Sequence, residues 1–497
     1  MTLTATASAM PAFLDGKTKL MLIDGKWTPS MSGRTFETRN PSNGDVLATI
    51  AEGRTEDVDL AVAAARRAFE GPWRRMKPAE RTDLMLKWAD LVEQHYPELR
   101  MLDVLDMGSP IGAGRGPSDV LNTIRYYAGW CTKIHGETME PSVPGSYMTY
   151  TLKEPVGVVA SIIPWNAPLR MAIWKLSTAL ATGCTIILKP AEEACLSSLR
   201  LGELIQEAGI PEGVVNILPG FGETCGAPLA EHHGVDKVAF TGSHITGQQI
   251  VRASAGNLKR VSLELGGKSP DIVFADADLE AAVPGAAMSC FANAGQICAA
   301  GTRLFVERSV YPQFVERVAG FAKTLKVGDS LDPSTQIGPI VSEQQLERVT
   351  GYLRAGVDEG ALTLAGGRRL TDGKLAKGFF VEPTVFADVK DEMSIARDEI
   401  FGPVLSVLPF DGVEEVARRS NATHYGLASF IWTRNVGTAH RLAKALQAGS
   451  VWINCRNIVD PAVPFGGYKM SGYGREFSSH SLDDYLNVKA VWINTDA

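Results

Sequence analysis

The sequence predicts an α/β protein whose first half winds helices over both faces of a parallel sheet. Three observations carry this expectation. β-rich runs at 156–163, 185–189, 214–218 and 237–241 recur with helical patterns between them, and that alternation calls for parallel pairing with right-handed crossovers. Polar stretches follow directly on several of those runs, at the carboxyl strand ends where such sheets bind their ligands. The 497 residues exceed what one hydrophobic core usually supports, so two large domains and a small third element are expected.

Residues 1–14 are rich in Thr, Ala and Ser and read as a frayed tail, with flexibility expected as far as residue 18. They lack the arginines of an organellar presequence and the long apolar core of a secretory one. Residues 20–27 read as a short strand broken at Asp24-Gly25, and 36–41 as another leading to the turn Ser42-Asn43-Gly44; both look like edge hairpins. Helical spacing follows at 56–69, through Val58, Leu60, Ala61, Ala65 and Ala68, and at 79–94, through Leu84, Leu86, Trp88, Leu91 and Val92. Gly112-Ala113-Gly114-Arg115-Gly116 has no strand before it, so it reads as a connecting loop and not a nucleotide loop. Pro117-Ser118-Asp119 opens the next helix, whose Tyr126, Tyr127, Trp130 and Cys131 are expected in the core. Residues 147–152 alternate toward a strand and lead into the sheet.

Hydrophobic residues make up 45% of the chain and charged residues 21%, an ordinary globular balance that excludes a mainly disordered protein. A net charge of -7 argues against nucleic acid or an anionic membrane as the main partner. The seven cysteines form no C-x-x-C pair, which fits a reducing cytoplasm. No apolar run approaches the roughly 20 residues that span a bilayer.

Five stretches carry the chemistry, and each has a bland reading beside the functional one. Cys298 lies in Phe291-Ala292-Asn293-Ala294-Gly295-Gln296-Ile297-Cys298-Ala299-Ala300-Gly301, where small residues let backbone approach a substrate; it is either a nucleophile or a small buried hydrophobe. Pro164-Trp165-Asn166-Ala167-Pro168 follows a strand, so Asn166 either aims its amide at a developing negative charge or caps the next helix. In Lys189-Pro190-Ala191-Glu192 the carboxylate either accepts from ribose hydroxyls or is a solvated loop charge. Phe240-Thr241-Gly242-Ser243-His244 runs from a strand into a helix, whose start could receive a pyrophosphate, although the spacing is not that of the dinucleotide fingerprint. Alternation in Arg260-Val261-Ser262-Leu263-Glu264 puts Glu264 on the face opposite Leu263, as an edge carboxylate or a base in a cleft.

Together these stretches resemble the aldehyde dehydrogenase superfamily, of the NAD(P)-dependent, hydrolytic, non-acylating type. Pro164-Trp165-Asn166, Glu264-Leu265-Gly266-Gly267-Lys268 and Gly295-Gln296-Ile297-Cys298 stand in the family's order, as do Glu399-Ile400-Phe401-Gly402-Pro403, residues 421–427 and Pro464-Phe465-Gly466-Gly467-Tyr468-Lys469-Met470-Ser471-Gly472. The resemblance implies a Rossmann-like doubly wound cofactor domain at 1–134 and 155–265, an α/β catalytic domain at 266–475, and a small β oligomerisation arm at 135–154 and 476–497. The arm would pair with another subunit in a homodimer or homotetramer.

It also implies roles. Cys298 would attack the aldehyde, giving a thiohemiacetal and then a thioester. Asn166 would stabilise the oxyanion, Glu264 would activate the hydrolytic water, and Lys175 and Glu476 would assist proton movement. Lys189 and Glu192 would hold the adenosine ribose, favouring NAD over NADP; Ser243 would touch the pyrophosphate and Glu399, beside Phe401, the nicotinamide ribose. Ile162, Pro164, Trp165, Gly222, Gly226, Phe240, Thr241, Gly242, Leu265 and Gly266 complete the expected cofactor site, and no metal is called for. The aldehyde tunnel would be walled by Ala167, Met171, Trp174, Ile297, Ala299, Asn457, Val459 and Phe465, a mostly apolar set that favours a medium or large hydrophobic aldehyde. Arg170 and Arg456 keep a carboxylated semialdehyde open as the alternative, although charged residues beside loops usually face water, as His244 is expected to do. A cysteine-dependent hydrolase or acyltransferase, the rival from another class, would need Cys298 and Asn166 but not Glu192, Ser243 or Glu399.

Overall fold

The computed structural model describes residues 10–114 and 116–496; residues 1–9 of the expected tail, Arg115 of the glycine-rich loop and Ala497 lie outside them. The rest of the expected tail is not loose. Phe13 is buried in the core, donates its N–H to Glu98 Oε1 at 3.2 Å and lies under Lys19 Nζ.

Eight strands form the first sheet, in the order Lys26–Thr28, Met21–Ile23, Val215–Ile217, Thr185–Lys189, Val158–Ile162, Lys237–Thr241, Arg260–Glu264, Gly472–Tyr473. From Val215–Ile217 to Arg260–Glu264 all neighbours are parallel, and both edges are antiparallel. The central strands are mostly apolar and buried along nearly their whole length because both faces are covered. Val159, Ile186, Leu188 and Ile217 pack with helices Pro78–Met107, Pro168–Thr182 and Leu196–Ala208, while Val158, Ala160, Ile187 and Val238 pack with helix Thr55–Ala68 on the other side. This is the doubly wound arrangement that the alternation demanded.

Two elements depart from expectation. The helix expected at 79–94 runs from Pro78 to Met107, through Pro97. An interior proline costs a helix about 3 kcal/mol, but burial of Leu99, Leu102, Val104 and Leu105 past it favours continuation. Gly108, at φ 81°, ends it in the left-handed conformation. The next helix stops at Ala128, so Trp130 and Cys131 sit in the turn beyond, with Tyr127 and Cys131 buried as expected.

The second sheet has seven strands, ordered Leu362–Ala365, Thr384–Ala387, Val404–Phe410, Arg303–Glu307, Pro270–Val273, Ala428–Trp432, Ser450–Ile453, parallel except for the first. The chain then returns: Gly472 and Tyr473, expected with the catalytic part, pair with Glu264 and Leu263 on the edge of the first sheet. Residues Tyr147–Pro155 lie between Thr138–Met139 and Leu486–Asn494 in a three-stranded antiparallel arm. Its outer strand exposes Val488 and Trp492 at 65% and 57%. Among the described residues no helix is long and apolar enough to cross a membrane.

Candidate active site

The carboxyl ends of the first sheet's strands and loops of the second open on one cavity of about 940 Å³. Cys298 reaches it through an unusual backbone. After helix Leu279–Phe291 the chain turns through Asn293, Ala294 and Gly295 at φ 53°, 55° and 74°, a left-handed run that costs a side-chain-bearing residue about 1–2 kcal/mol. At Gly295 a Cβ would lie 2.0 Å from the Gly402 carbonyl oxygen, so only glycine fits. Gln296 holds the turn from inside: its amide donates to the Asn293 and Pro339 carbonyls at 3.1 and 3.3 Å and accepts the Val341 N–H at 2.9 Å. Asn166 is tied to the same turn, donating from Nδ2 to the Gln296 carbonyl at 2.9 Å, while Asn293 Nδ2 donates to the Asn166 carbonyl at 3.2 Å.

The thiol sits in an anionic surrounding. Burial first, then the carboxylates of Glu264 and Glu399, push Cys298 up to about 12, against the backbone N–H groups of Ala299 and Cys298 itself. Glu264 ends its strand, buried, with neither carboxylate oxygen hydrogen-bonded. Burial and the charge of Glu476 push it well above the carboxylate range, opposed by Lys175 and Arg475. Lys175 and Glu476 form a buried ion pair, with Glu476 on the cavity wall and Lys175 behind it. Glu399 accepts the Gly267 N–H at 3.0 Å, and burial raises it to about 7. Its carboxylate lies so close to Gly266 that a Cβ there would meet it at 1.9 Å.

Pro164, Trp165, Thr241, Gly242, Ser243, Glu264, Gly266, Glu399 and Phe401 all line the cavity, with Trp165 and Phe401 edge to face at 5.3 Å. Ser243 caps helix His244–Ser254, accepting the Thr246 N–H at 3.1 Å. Ile162, Lys189, Glu192, Gly222, Gly226, Phe240 and Leu265 are not on its wall. Ile162 and Lys189 are register partners beside Gly226, and Lys189 Nζ reaches Glu192 at 3.3 Å. Phe240 packs its ring against Gly242, Leu265 packs against Gly247, and Gly222 faces open space.

All eight tunnel residues, Ala167, Met171, Trp174, Ile297, Ala299, Asn457, Val459 and Phe465, line the same cavity. Three expectations need correction. Arg170 and Arg456 line the cavity instead of facing water alone, and Arg170 is held there by an ion pair with Asp119. His244 is half-buried on the wall against Tyr425, because the second sheet's loop closes over the helix start. Tyr96, Arg100, Asp119, Arg348 and Tyr425 also line the cavity. Sequence reasoning missed them because they come from helix surfaces and one loop that carry no local signature of a site.

A family model, described as the aldehyde dehydrogenase family, matches residues 27–491. The chain belongs to the aldehyde dehydrogenase family. DhaS of Bacillus subtilis is 52% identical over 491 residues, 98% of each chain. The NAD+ complex of an aldehyde dehydrogenase from Bacillus cereus superposes with a TM-score of 0.94 at 51% identity, covering 97% of this chain and 98% of that one. The indole-3-acetaldehyde dehydrogenase AldA of Pseudomonas syringae, solved with NAD+ and IAA, gives 0.93 at 44% identity, covering 96% of each. Both of those solved structures hold NAD+, and this chain has a turn suited to the same group. Its residues fit a dinucleotide: Thr241 Oγ1 is buried without a partner next to the turn that starts helix His244–Ser254, and a helix start of this kind favours a phosphate.

Proposed function

We propose that this enzyme oxidises medium-sized or large hydrophobic aldehydes, aromatic or aliphatic, through covalent catalysis at Cys298. The observation that carries the reading is the convergence of Cys298, Asn166 and Glu264 on one cavity with the mostly apolar set Ala167, Met171, Trp174, Ile297, Ala299, Val459 and Phe465. Small side chains at Ala167 and Val459 leave room, and Trp174, its ring tilted 59° to that of Phe477 with centroids 4.1 Å apart, adds an aromatic wall. The name of AldA, an indole-3-acetaldehyde dehydrogenase, supports an aromatic substrate.

The Cys298 sulfur, once deprotonated, bonds to the aldehyde carbon, and the carbonyl oxygen becomes an oxyanion. Asn166 gives one amide hydrogen to Gln296; the other, with the Cys298 N–H, is left for that oxygen, and a donor of this kind contributes about 3 kcal/mol to the transition state. Bound NAD+ supplies the hydride acceptor. The acyl group then remains on Cys298 as a thioester. Glu264, whose surroundings raise its proton affinity, takes a proton from the water that attacks the thioester, and the Lys175–Glu476 pair next to it passes charge onward. Lys189 and Glu192 would hold the adenosine ribose and reject a 2′-phosphate, Ser243 the pyrophosphate, and Glu399 the nicotinamide ribose.

The same reading assigns the first sheet to the cofactor and the second to catalysis, with the arm pairing copies of the chain in a homo-oligomer. Seven free thiols support a reducing cytoplasm. A panel of aromatic, long aliphatic and carboxylated aldehydes ranked by kcat/KM tests the substrate class. The hydrophobic aldehydes should lead by tenfold or more; a lead for the carboxylated ones would transfer the assignment to a semialdehyde, with Arg170 and Arg456 as its anchors.

A further inference from the structure

The rim of the cofactor cavity carries a ring cluster that the chemistry above leaves unused. His244, the first residue of helix His244–Ser254, lines the cavity beside Gly242, Ser243 and Arg348. Its Nδ1 lies 3.1 Å from the Tyr425 hydroxyl. The ring also meets those of Tyr425 and His424 edge-on, at 5.6 and 5.7 Å between centroids. The helix follows strand Lys237–Thr241 of the first sheet, whereas Tyr425 precedes Ala428–Trp432 of the second. The bond therefore crosses the cleft.

Tyr425 can hold this bond in either charge state of the imidazole. Its phenol is buried, and burial followed by the charge of Glu399 pushes it well above the usual phenol range, so it keeps its proton. Toward neutral His244 it donates to Nδ1, which fixes the ring hydrogen on Nε2. Toward the imidazolium it accepts from Nδ1, and Nε2 still carries its hydrogen. The ring gains a charge without losing its anchor. The titratable groups that face it are His424 and Tyr425 from the loop and Arg348 from helix Glu343–Asp358. Burial, then His424 and Arg348, all lower His244. An anion at the Ser243 turn reverses that balance.

We infer that His244 is a phosphate-binding residue for the dinucleotide, donating from Nε2 to the pyrophosphate at the Gly242-Ser243 turn, so that dinucleotide affinity rises as the pH falls. This rests on the assignment of that turn to the pyrophosphate. The doubly charged pyrophosphate favours the imidazolium, so binding raises the pKa of His244 and takes up protons. The gain begins as the pH falls through the bound-state value and levels off below the free-state value, which lies under the ordinary 6.5.

Calorimetric titration with ADP-ribose, which has the pyrophosphate and lacks the nicotinamide, tests this between pH 8 and 5.5, with adenosine as the phosphate-free control. For the unaltered enzyme the Kd for ADP-ribose should tighten roughly three- to tenfold over that range, while that for adenosine stays flat. His244→Gln, which keeps a donor but cannot charge, should lose the slope, its Kd at pH 5.5 matching its Kd at pH 8; His244→Ala should bind more weakly at pH 8 and also lose the slope. His424→Asn should keep the slope. A flat response in the unaltered enzyme, a slope that survives His244→Gln, or one that disappears in His424→Asn overturns the inference. Gly242→Val separates the two assignments, because a Cβ there would meet the Phe240 ring at 2.4 Å and disturb the turn. Undiminished ADP-ribose binding by that variant would refute the pyrophosphate assignment itself, whereas weakened binding by it beside a flat response in the unaltered enzyme would refute only the part given to His244.

Discussion

At neutral pH the Cys298 thiol of the free enzyme keeps its proton, since burial, Glu264 and Glu399 push it up to about 12. A raised thiol pKa leaves a thiolate fraction that grows about tenfold per pH unit below that value. Alkylation of Cys298 by iodoacetamide, followed as the adduct by mass spectrometry, should therefore accelerate about tenfold per unit from pH 7 to 9 in the free enzyme. A rate that is flat over that range contradicts the buried, anionic setting. Glu264 bears on the second half of the reaction: Glu264→Gln should leave the first burst of NADH and slow the following steady state by a hundredfold or more. Loss of the burst would move Glu264 to the first half. That Asn166, Glu264 and Cys298 meet on one cavity was legible because they stand in local motifs, with Asn166 between prolines and Glu264 at a strand end before two glycines. What the sequence did not reveal was their protonation state, since burial sets it first and then charges elsewhere in the chain, Glu476 for Glu264 and Glu264 followed by Glu399 for Cys298, which lie 212, 34 and 101 residues away.

Among the elements, the central strands were the easiest to read. Thr185–Lys189 and Lys237–Thr241 coincide with the runs read from the sequence, their three interior residues all apolar, because strands covered on both faces leave no polar position inside the run to blur the pattern. Helix Pro78–Met107 was cut short because its second half gains stability from packing and not from local preference. The turn before Cys298 was marked by small residues, yet the need for glycine at 295 comes from the Gly402 carbonyl, which no local pattern announces. Gly295→Ala should combine a strained φ with that collision and cost about 2 kcal/mol or more of stability. Thermal unfolding measures the loss, and kcat should fall with it as Cys298 is displaced; an unchanged melting temperature would mean that the backbone adjusts freely.

For the molecule as a whole, the parallel first sheet followed from the alternation of runs, but the second sheet was not readable strand by strand and was expected only from the family resemblance. The arm behaves as an unfinished surface. Its outer strand pairs along Leu486–Asn494 on one side only, and Val488 and Trp492 remain exposed. If copies of the chain close that surface, Val488→Asp together with Trp492→Asp should shift the enzyme to a smaller species in analytical ultracentrifugation while its circular dichroism stays native. An unchanged sedimentation coefficient would assign the subunit contact to another face. The return of the chain has a further consequence, for chains that stop short. Lys175 and its partner Glu476 stand 301 residues apart in the chain and are both buried, and a buried ammonium without its counter-charge costs several kcal/mol. A chain cut short before residue 476 therefore carries a latent defect beneath the first sheet wherever that sheet closes without it.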